Sequence, residues 1–159
     1  MASAHRTSDL EEIRSRIRSR SLDGHFYSAL LGFRSYGLRH LVDQVREGFR
    51  YSVFVRFQRN TRLSQRALSE LTQIPLRTLT RRKASGKLDP VESDRLLRAS
   101  RIFGRALELF EGDDDAARSW LTSEQPALGG LVPLEVAESE VGANEVERLM
   151  GRLEHGLPS

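Results

Sequence analysis

The sequence predicts an all-α protein, a helix-turn-helix domain followed by a second, small helical domain. Three observations carry the prediction. Apolar residues recur at three- and four-residue spacing along most of the 159 residues, and no segment requires a strand. Between Leu63 and Lys83 two short helical patterns flank a turn, and the second ends in the cations Arg81-Arg82-Lys83. Asp89-Pro90-Val91-Glu92 then combines a capping carboxylate, a proline suited to the first helical position and a glutamate three residues after the cap, a strong helix start.

In chain order, residues 1–8 read as disordered. Residues 9–21 suit a helix with Leu10, Ile13 and Ile17 on a narrow stripe. Arg14, Arg16, Arg18 and Arg20 fall on alternate positions and spread around that helix, which suits a solvated tail better than a phosphate-binding stripe. Residues 24–33 are apolar and are expected to pack on the rest, so residues 1–36 form an N-terminal arm. From Gly37, Leu38, Leu41, Val42 and Val45 recur at helical spacing until Gly48 breaks the pattern. Residues 51–57 have strand propensity by composition. A helix with Phe49, Val53 and Phe57 inward fits them equally well, and their place before the two-helix motif favours helix.

After Asp89, the residues Leu96, Ala99, Phe103, Ala106, Leu107 and Phe110 mark one face of a long helix expected to end at Gly112. Asp113-Asp114-Asp115 opens a short helix carrying Trp120 and Leu121, because acids at a helix start favour its dipole and cap it. Residues 126–133, with Gly129 and Gly130, read as a loop. A short helical piece is expected around residues 134–137, and a last helix over 144–153 with Val146, Leu149, Met150 and Leu153 inward. Residues 37–88 thus make one domain and 89–159 the next.

Bulk properties exclude several classes. With no cysteine there is no disulfide framework, thiol nucleophile or cysteine zinc site. No apolar run is long enough for a membrane span, and residues 1–21 lack the apolar core of a secretory signal. His5, His25, His40 and His155 are scattered, with no His-Glu-x-x-His spacing, and neither a phosphate loop nor a nucleophile elbow is present. No enzyme, metal site or cofactor is therefore expected. The net charge of +3 conceals an asymmetry. Residues 1–60 hold 11 basic and 6 acidic side chains, residues 61–105 hold 11 and 4, and residues 106–159 hold 3 and 12. A basic middle and an acidic end point to two partners of different kinds.

The basic middle contains the helix-turn-helix. Ser64 can cap its first helix, and Leu68, Leu71, Ile74 and Leu79 are spaced to fix the two helices at their angle. Ser69 is small, as the crossing point requires, and Pro75 is tolerated at the start of the second helix. The turn position usually held by glycine is Gln73. With Leu76 and Leu79 at or near the core, Arg77, Thr78, Arg81 and Arg82 are candidates for the exposed face. In the major groove, Arg77 or Arg81 suits a bidentate contact to guanine and Thr78 a phosphate or thymine methyl. Arg82, Lys83 and Lys87 suit phosphates, and Gln65, opening the first helix, suits a backbone contact. The bland alternative for this spacing is an ordinary helical hairpin.

From about residue 48 to 156, roughly two thirds of the chain, the sequence resembles the Xre/MbcA/ParS-type antitoxins of bacterial type II toxin–antitoxin systems. The resemblance lies in an ordered set of segments. These are Leu63-Ser64-Gln65, Arg77-Thr78-Leu79, Arg81-Arg82, Gly86-Lys87-Leu88 and Glu92-Ser93-Asp94-Arg95-Leu96-Leu97-Arg98. They continue through Ala106-Leu107-Glu108-Leu109-Phe110, Ala117-Arg118-Ser119-Trp120-Leu121 and Ala127-Leu128-Gly129-Gly130-Leu131-Val132-Pro133-Leu134 to Val146-Glu147-Arg148-Leu149-Met150-Gly151-Arg152-Leu153-Glu154-His155-Gly156.

The resemblance implies a bacterial cytoplasmic antitoxin whose C-terminal domain binds a RES-domain toxin. Such toxins consume NAD or transfer ADP-ribose, and the antitoxin's C-terminal end lies near the entrance of the toxin's active site. It also implies a homodimer that represses its own operon at a palindromic operator. Glu147, Arg148, Arg152, Glu154, His155, Gly156, Leu157, Pro158 and Ser159 are the candidate toxin-binding residues. The rival reading is a stand-alone helix-turn-helix regulator whose acidic C-terminal domain dimerises.

Overall fold

A computed structural model of the chain describes residues 8–34 and 37–156. Of the expected disorder of residues 1–8, residues 1–7 lie outside the described residues, as does the tail Leu157-Pro158-Ser159, while Ser8 is ordered as the cap of the first helix. The elements are α1 (Asp9–Arg18), a 3-10 helix (Phe26–Leu31), α2 (Leu38–Glu47), α3 (Tyr51–Thr61), α4 (Gln65–Thr72) and α5 (Leu76–Ser85). They continue with α6 (Pro90–Leu109), α7 (Asp114–Leu121), a second 3-10 helix (Pro126–Leu128), α8 (Pro133–Val136) and α9 (Glu140–Glu154). Extended pairing among the described residues is confined to two isolated bridges, Arg50 with Lys87 and Gln125 with Leu131. The all-α expectation holds.

Local chemistry sets most helix starts. Ser8, Ser64, Asp113 and Ser139 each accept a hydrogen bond from a backbone N–H in the first turn of α1, α4, α7 and α9. At α6 the capping box is complete: the Asp89 side chain accepts from the Glu92 N–H, and Glu92 accepts from the Asp89 N–H. Differences from expectation fall at other ends. Helix α1 stops at Arg18, α6 stops at Leu109 ahead of the left-handed residues Glu111 and Gly112, and α9 begins four residues earlier than its apolar stripe suggests.

Helix α6 is the central element. It packs against the first 3-10 helix and against α2, α3, α4, α7 and α9. Its buried Leu96, Ala99, Ile102, Phe103, Ala106 and Leu107 belong to one continuous core with Phe54 and Phe57 of α3, Leu68 and Leu71 of α4, Leu79 of α5 and Val146 and Met150 of α9. The close approach of the 3-10 helix depends on Gly104, where an added Cβ would lie 2.5 Å from the Tyr27 Cβ. Inside α3 the inward residues are Phe54 and Phe57, with Phe49 buried just before the helix, whereas Val53 is only partly buried.

The N-terminal arm is not a solvated tail. Asp9 is buried and accepts two hydrogen bonds from Arg56 of α3, each at 2.8 Å, one from Asn60 at 2.8 Å and one from Arg34 at 3.1 Å. Arg14 donates to the Gly112 carbonyl at 2.9 Å and pairs with the buried Asp114, which also meets Arg62 and Arg118. Arg16 pairs with Glu12, and Arg18 with Glu11. Of the alternate arginines, Arg14 ties α1 to α7, Arg16 reaches Glu12 of its own helix and Asp23 just after it, and Arg18 closes on Glu11 of its own helix.

Candidate functional site

The α4–α5 pair forms the expected helix-turn-helix. Leu68, Leu71, Ile74 and Leu79 are all buried. Gln73 occupies the turn in the left-handed conformation (φ 55°), and its side-chain amide donates to the Glu70 carbonyl at 2.7 Å. A non-glycine residue there carries a steric cost that its hydrogen bond partly offsets. Ser69 donates its hydroxyl to the Ile74 carbonyl at 2.7 Å, closing the turn from the other side. Leu76 departs from expectation: it is 47% exposed, because the helix turns Leu79 and not Leu76 onto the core.

Gln65, Arg77, Arg81, Lys83 and Lys87 are exposed, and Thr78 is partly buried. Arg82 differs from its neighbours. Its guanidinium holds Glu92 through three hydrogen bonds of 2.9–3.2 Å and Asp89 at 3.3 Å. The Glu92 carboxylate accepting those bonds raises the Arg82 pKa. Its position on α5 directs it to the capping box of α6, so it joins the helix-turn-helix to the next helix and is only partly exposed, where the sequence places it on the exposed face.

Two further cations escaped the sequence reading. Arg50, immediately before α3, lies beside Lys87 because the chain after α5 bridges back to it, with the Tyr51 N–H donating to the Gly86 carbonyl and the Leu88 N–H to the Phe49 carbonyl. Arg59 shares the outer face of α3 with Ser52 and Val55. The available signal was the exposed i, i+3, i+7 set on that helix.

Ion pairing divides the molecule. Among the described residues, Arg39, Arg46, Arg50, Arg59, Arg77, Arg81, Lys83 and Lys87 make no hydrogen bond or ion pair through their side chains. Every described cation after Lys87 has a partner: Arg95 with the Gln73 carbonyl, Arg98 and Arg101 with Glu140, Arg105 with Glu108, Arg118 with Asp115, and Arg148 and Arg152 with Glu145. Glu111, Glu124, Glu135 and Glu154, by contrast, carry no ion pair. Among the described residues, uncommitted cations from Arg39 to Lys87 outnumber the uncommitted acids Asp43 and Glu47, and beyond Lys87 only acids are left uncommitted.

Helix α9 buries Ala143, Val146, Leu149 and Met150, while Leu153 is 37% exposed. Glu147, one of the candidate toxin-binding residues, is partly buried and is held by Arg101 of α6, a pair that ties α9 to α6. Arg101 also pairs with Glu140; burial lowers its pKa, but the two carboxylates outweigh that and raise it. Arg148 is exposed, Arg152 is partly buried, and Glu154, His155 and Gly156 are exposed at the helix end.

Residues 40–101 match a family model described as the antitoxin Xre-like helix-turn-helix domain, and residues 105–156 one described as the antitoxin Xre/MbcA/ParS C-terminal toxin-binding domain. A protein named Antitoxin Xre from Yersinia enterocolitica is 37% identical over 118 residues, covering 74% of this chain and 80% of the relative. The chain belongs to the Xre antitoxin family. Another Antitoxin Xre, from Photorhabdus laumondii, is 32% identical over 130 residues, 81% of this chain and 88% of the relative. A Sphingobium protein named Prs ADP-ribosylating antitoxin is 23% identical over 124 residues, 72% of this chain and 78% of the relative. Membership brings a DNA-binding fold and a toxin-binding domain together in one antitoxin, and favours that reading over the stand-alone regulator. No described helix is long and apolar enough to cross a membrane.

Proposed function

We propose that this Xre-family protein neutralises a RES-domain toxin that consumes NAD or transfers ADP-ribose, and that it represses its own operon as a homodimer on a palindromic operator. The observation that carries the reading is the division of uncommitted charge. Exposed cations without partners gather around α5, where an acidic polymer is read, and acids without partners gather in the toxin-binding domain. A toxin site that receives the anionic phosphates of NAD is electropositive, and acids suit it. The ADP-ribosylation in the name of the Sphingobium relative supports the same chemistry.

The recognition helix would place Arg77, Thr78 and Arg81 at base edges, with Lys83, Lys87 and Gln65 on phosphates. At the other end, Arg148, Arg152, Glu154, His155 and Gly156, followed by Leu157, Pro158 and Ser159, would approach the toxin's active site. The two roles separate by variant. Arg77→Ala with Arg81→Ala is expected to weaken operator binding at least tenfold in a salt-controlled shift assay and to leave toxin binding intact. Removing residues 154–159 spares Val146, Leu149 and Met150 and is expected to abolish rescue of growth from the neighbouring gene's toxin. Full rescue by the shortened chain would remove the C-terminal role.

A further inference from the structure

A groove of about 810 Å³ runs between the arm, α3 and the end of α5. Its walls carry five cations, Arg34, Arg50, Arg56, Arg59 and Lys83, against the single carboxylate of Asp9. That carboxylate is already committed to Arg56, Arg34 and Asn60. Among the described residues, the side chains of Arg50, Arg59 and Lys83 have no hydrogen-bond or ion-pair partner. Arg50 is at the N-cap position of α3, and Tyr51 and Ser52 of that helix's first turn line the same groove.

We propose that this groove seats the phosphodiester backbone of operator DNA beside the major-groove contact, with Arg50 and Arg59 as phosphate ligands that join Lys83. Two features select a polymer over a small anion. Arg50 and Arg59 are nine residues apart, which spreads the charge over about 13 Å along the helix axis, longer than one phosphate group. One wall is the end of α5 itself, through Lys83 and Gly86, so the groove is continuous with the surface that carries Arg77 and Arg81. The arm builds the groove: Asp9 holds Arg56 and Arg34 in its wall, and α1 thereby extends the DNA surface beyond the two-helix motif.

The proposal rests on the DNA-binding reading of the helix-turn-helix, and the experiment keeps the two apart. Full-length protein is titrated with duplex from the promoter region of its own operon at several salt concentrations. Arg50→Gln with Arg59→Gln is expected to weaken binding about tenfold near physiological salt and to make the slope of log K against log salt shallower by about 2, with unchanged preference among operator base pairs. Arg50→Lys with Arg59→Lys is expected to recover most of the loss. Arg39→Gln with Arg46→Gln removes the same charge from α2 outside the groove and is expected to shift the slope by less than about 1.

If the groove pair behaves like the α2 pair while Arg77→Ala/Arg81→Ala loses the operator, the groove proposal fails and the DNA reading stands. Should all three pairs bind the operator as wild type does, the assignment of the α5 face to DNA falls and takes the groove with it. Weakened toxin binding with unchanged DNA binding in the groove pair also overturns the proposal, assigning the groove to a protein. Circular dichroism on each variant confirms folding, which the exposure of both arginines favours.

Discussion

Asp9 and Asp114 show how single carboxylates organise this chain. Each is buried, and each gathers arginines from segments far apart in sequence. At Asp9, burial pushes the pKa up, but hydrogen bonds from Arg56 and Asn60 and the charges of Arg56 and Arg34 outweigh it and hold it below the ordinary 3.8. A carboxylate depressed in the folded state contributes stability that is fully present above its unfolded pKa and is lost as pH falls through the folded one. Asp9→Asn is therefore expected to cost about 1–3 kcal/mol at pH 7, reduced by the partial exposure of Arg56, and to flatten the acid limb of the stability–pH curve below about pH 4. Urea unfolding at stepped pH measures both. Little in the local sequence marks these residues, because all their partners but Arg118 lie 25 to 100 residues away along the chain. Arg82 differs from its exposed neighbours for a nearer reason: the helix phase of α5 delivers it to Glu92 and Asp89, ten and seven residues ahead.

Among the elements, the capping signals were legible because they are local. Ser64, Asp89 and Asp113 each reach an N–H three residues ahead, and sequence spacing alone specifies that contact. Inward faces were legible where the apolar stripe is regular, as in α6, and less so in α3, where aromatic and branched residues crowd both sides. The turn of the helix-turn-helix offers a direct test. Gln73→Gly removes the left-handed steric cost and is expected to stabilise the protein by about 1 kcal/mol, less the lost bond to the Glu70 carbonyl, read as a higher denaturation midpoint at unchanged slope. In the opposite direction, Gly104→Ala forces the 3-10 helix away from α6 and is expected to cost about 1–3 kcal/mol by the same measurement.

At the scale of the molecule, the charge asymmetry along the sequence points to two surfaces, and folding sharpens it by pairing the cations beyond Lys87 while leaving Arg77, Arg81, Lys83 and Lys87 uncommitted. What composition did not disclose is the continuity of the core. The helix-turn-helix side chains and those of α9 pack on the same helix, so heat is expected to melt both regions in one calorimetric transition with equal van't Hoff and calorimetric enthalpies. Two separated transitions would show that the halves fold independently.

Helix α6 also acts as a ruler. Its 20 residues run unbroken from the capping box at Asp89 to Leu109, and the boundary between the two family matches falls within it. One residue inserted there would turn the recognition surface by about 100° relative to the toxin-binding end and slide it by about 1.5 Å. Exchange of toxin-binding ends between relatives is therefore geometrically constrained: a recombination junction in α6 must conserve its length to the residue, or the two surfaces lose their mutual bearing.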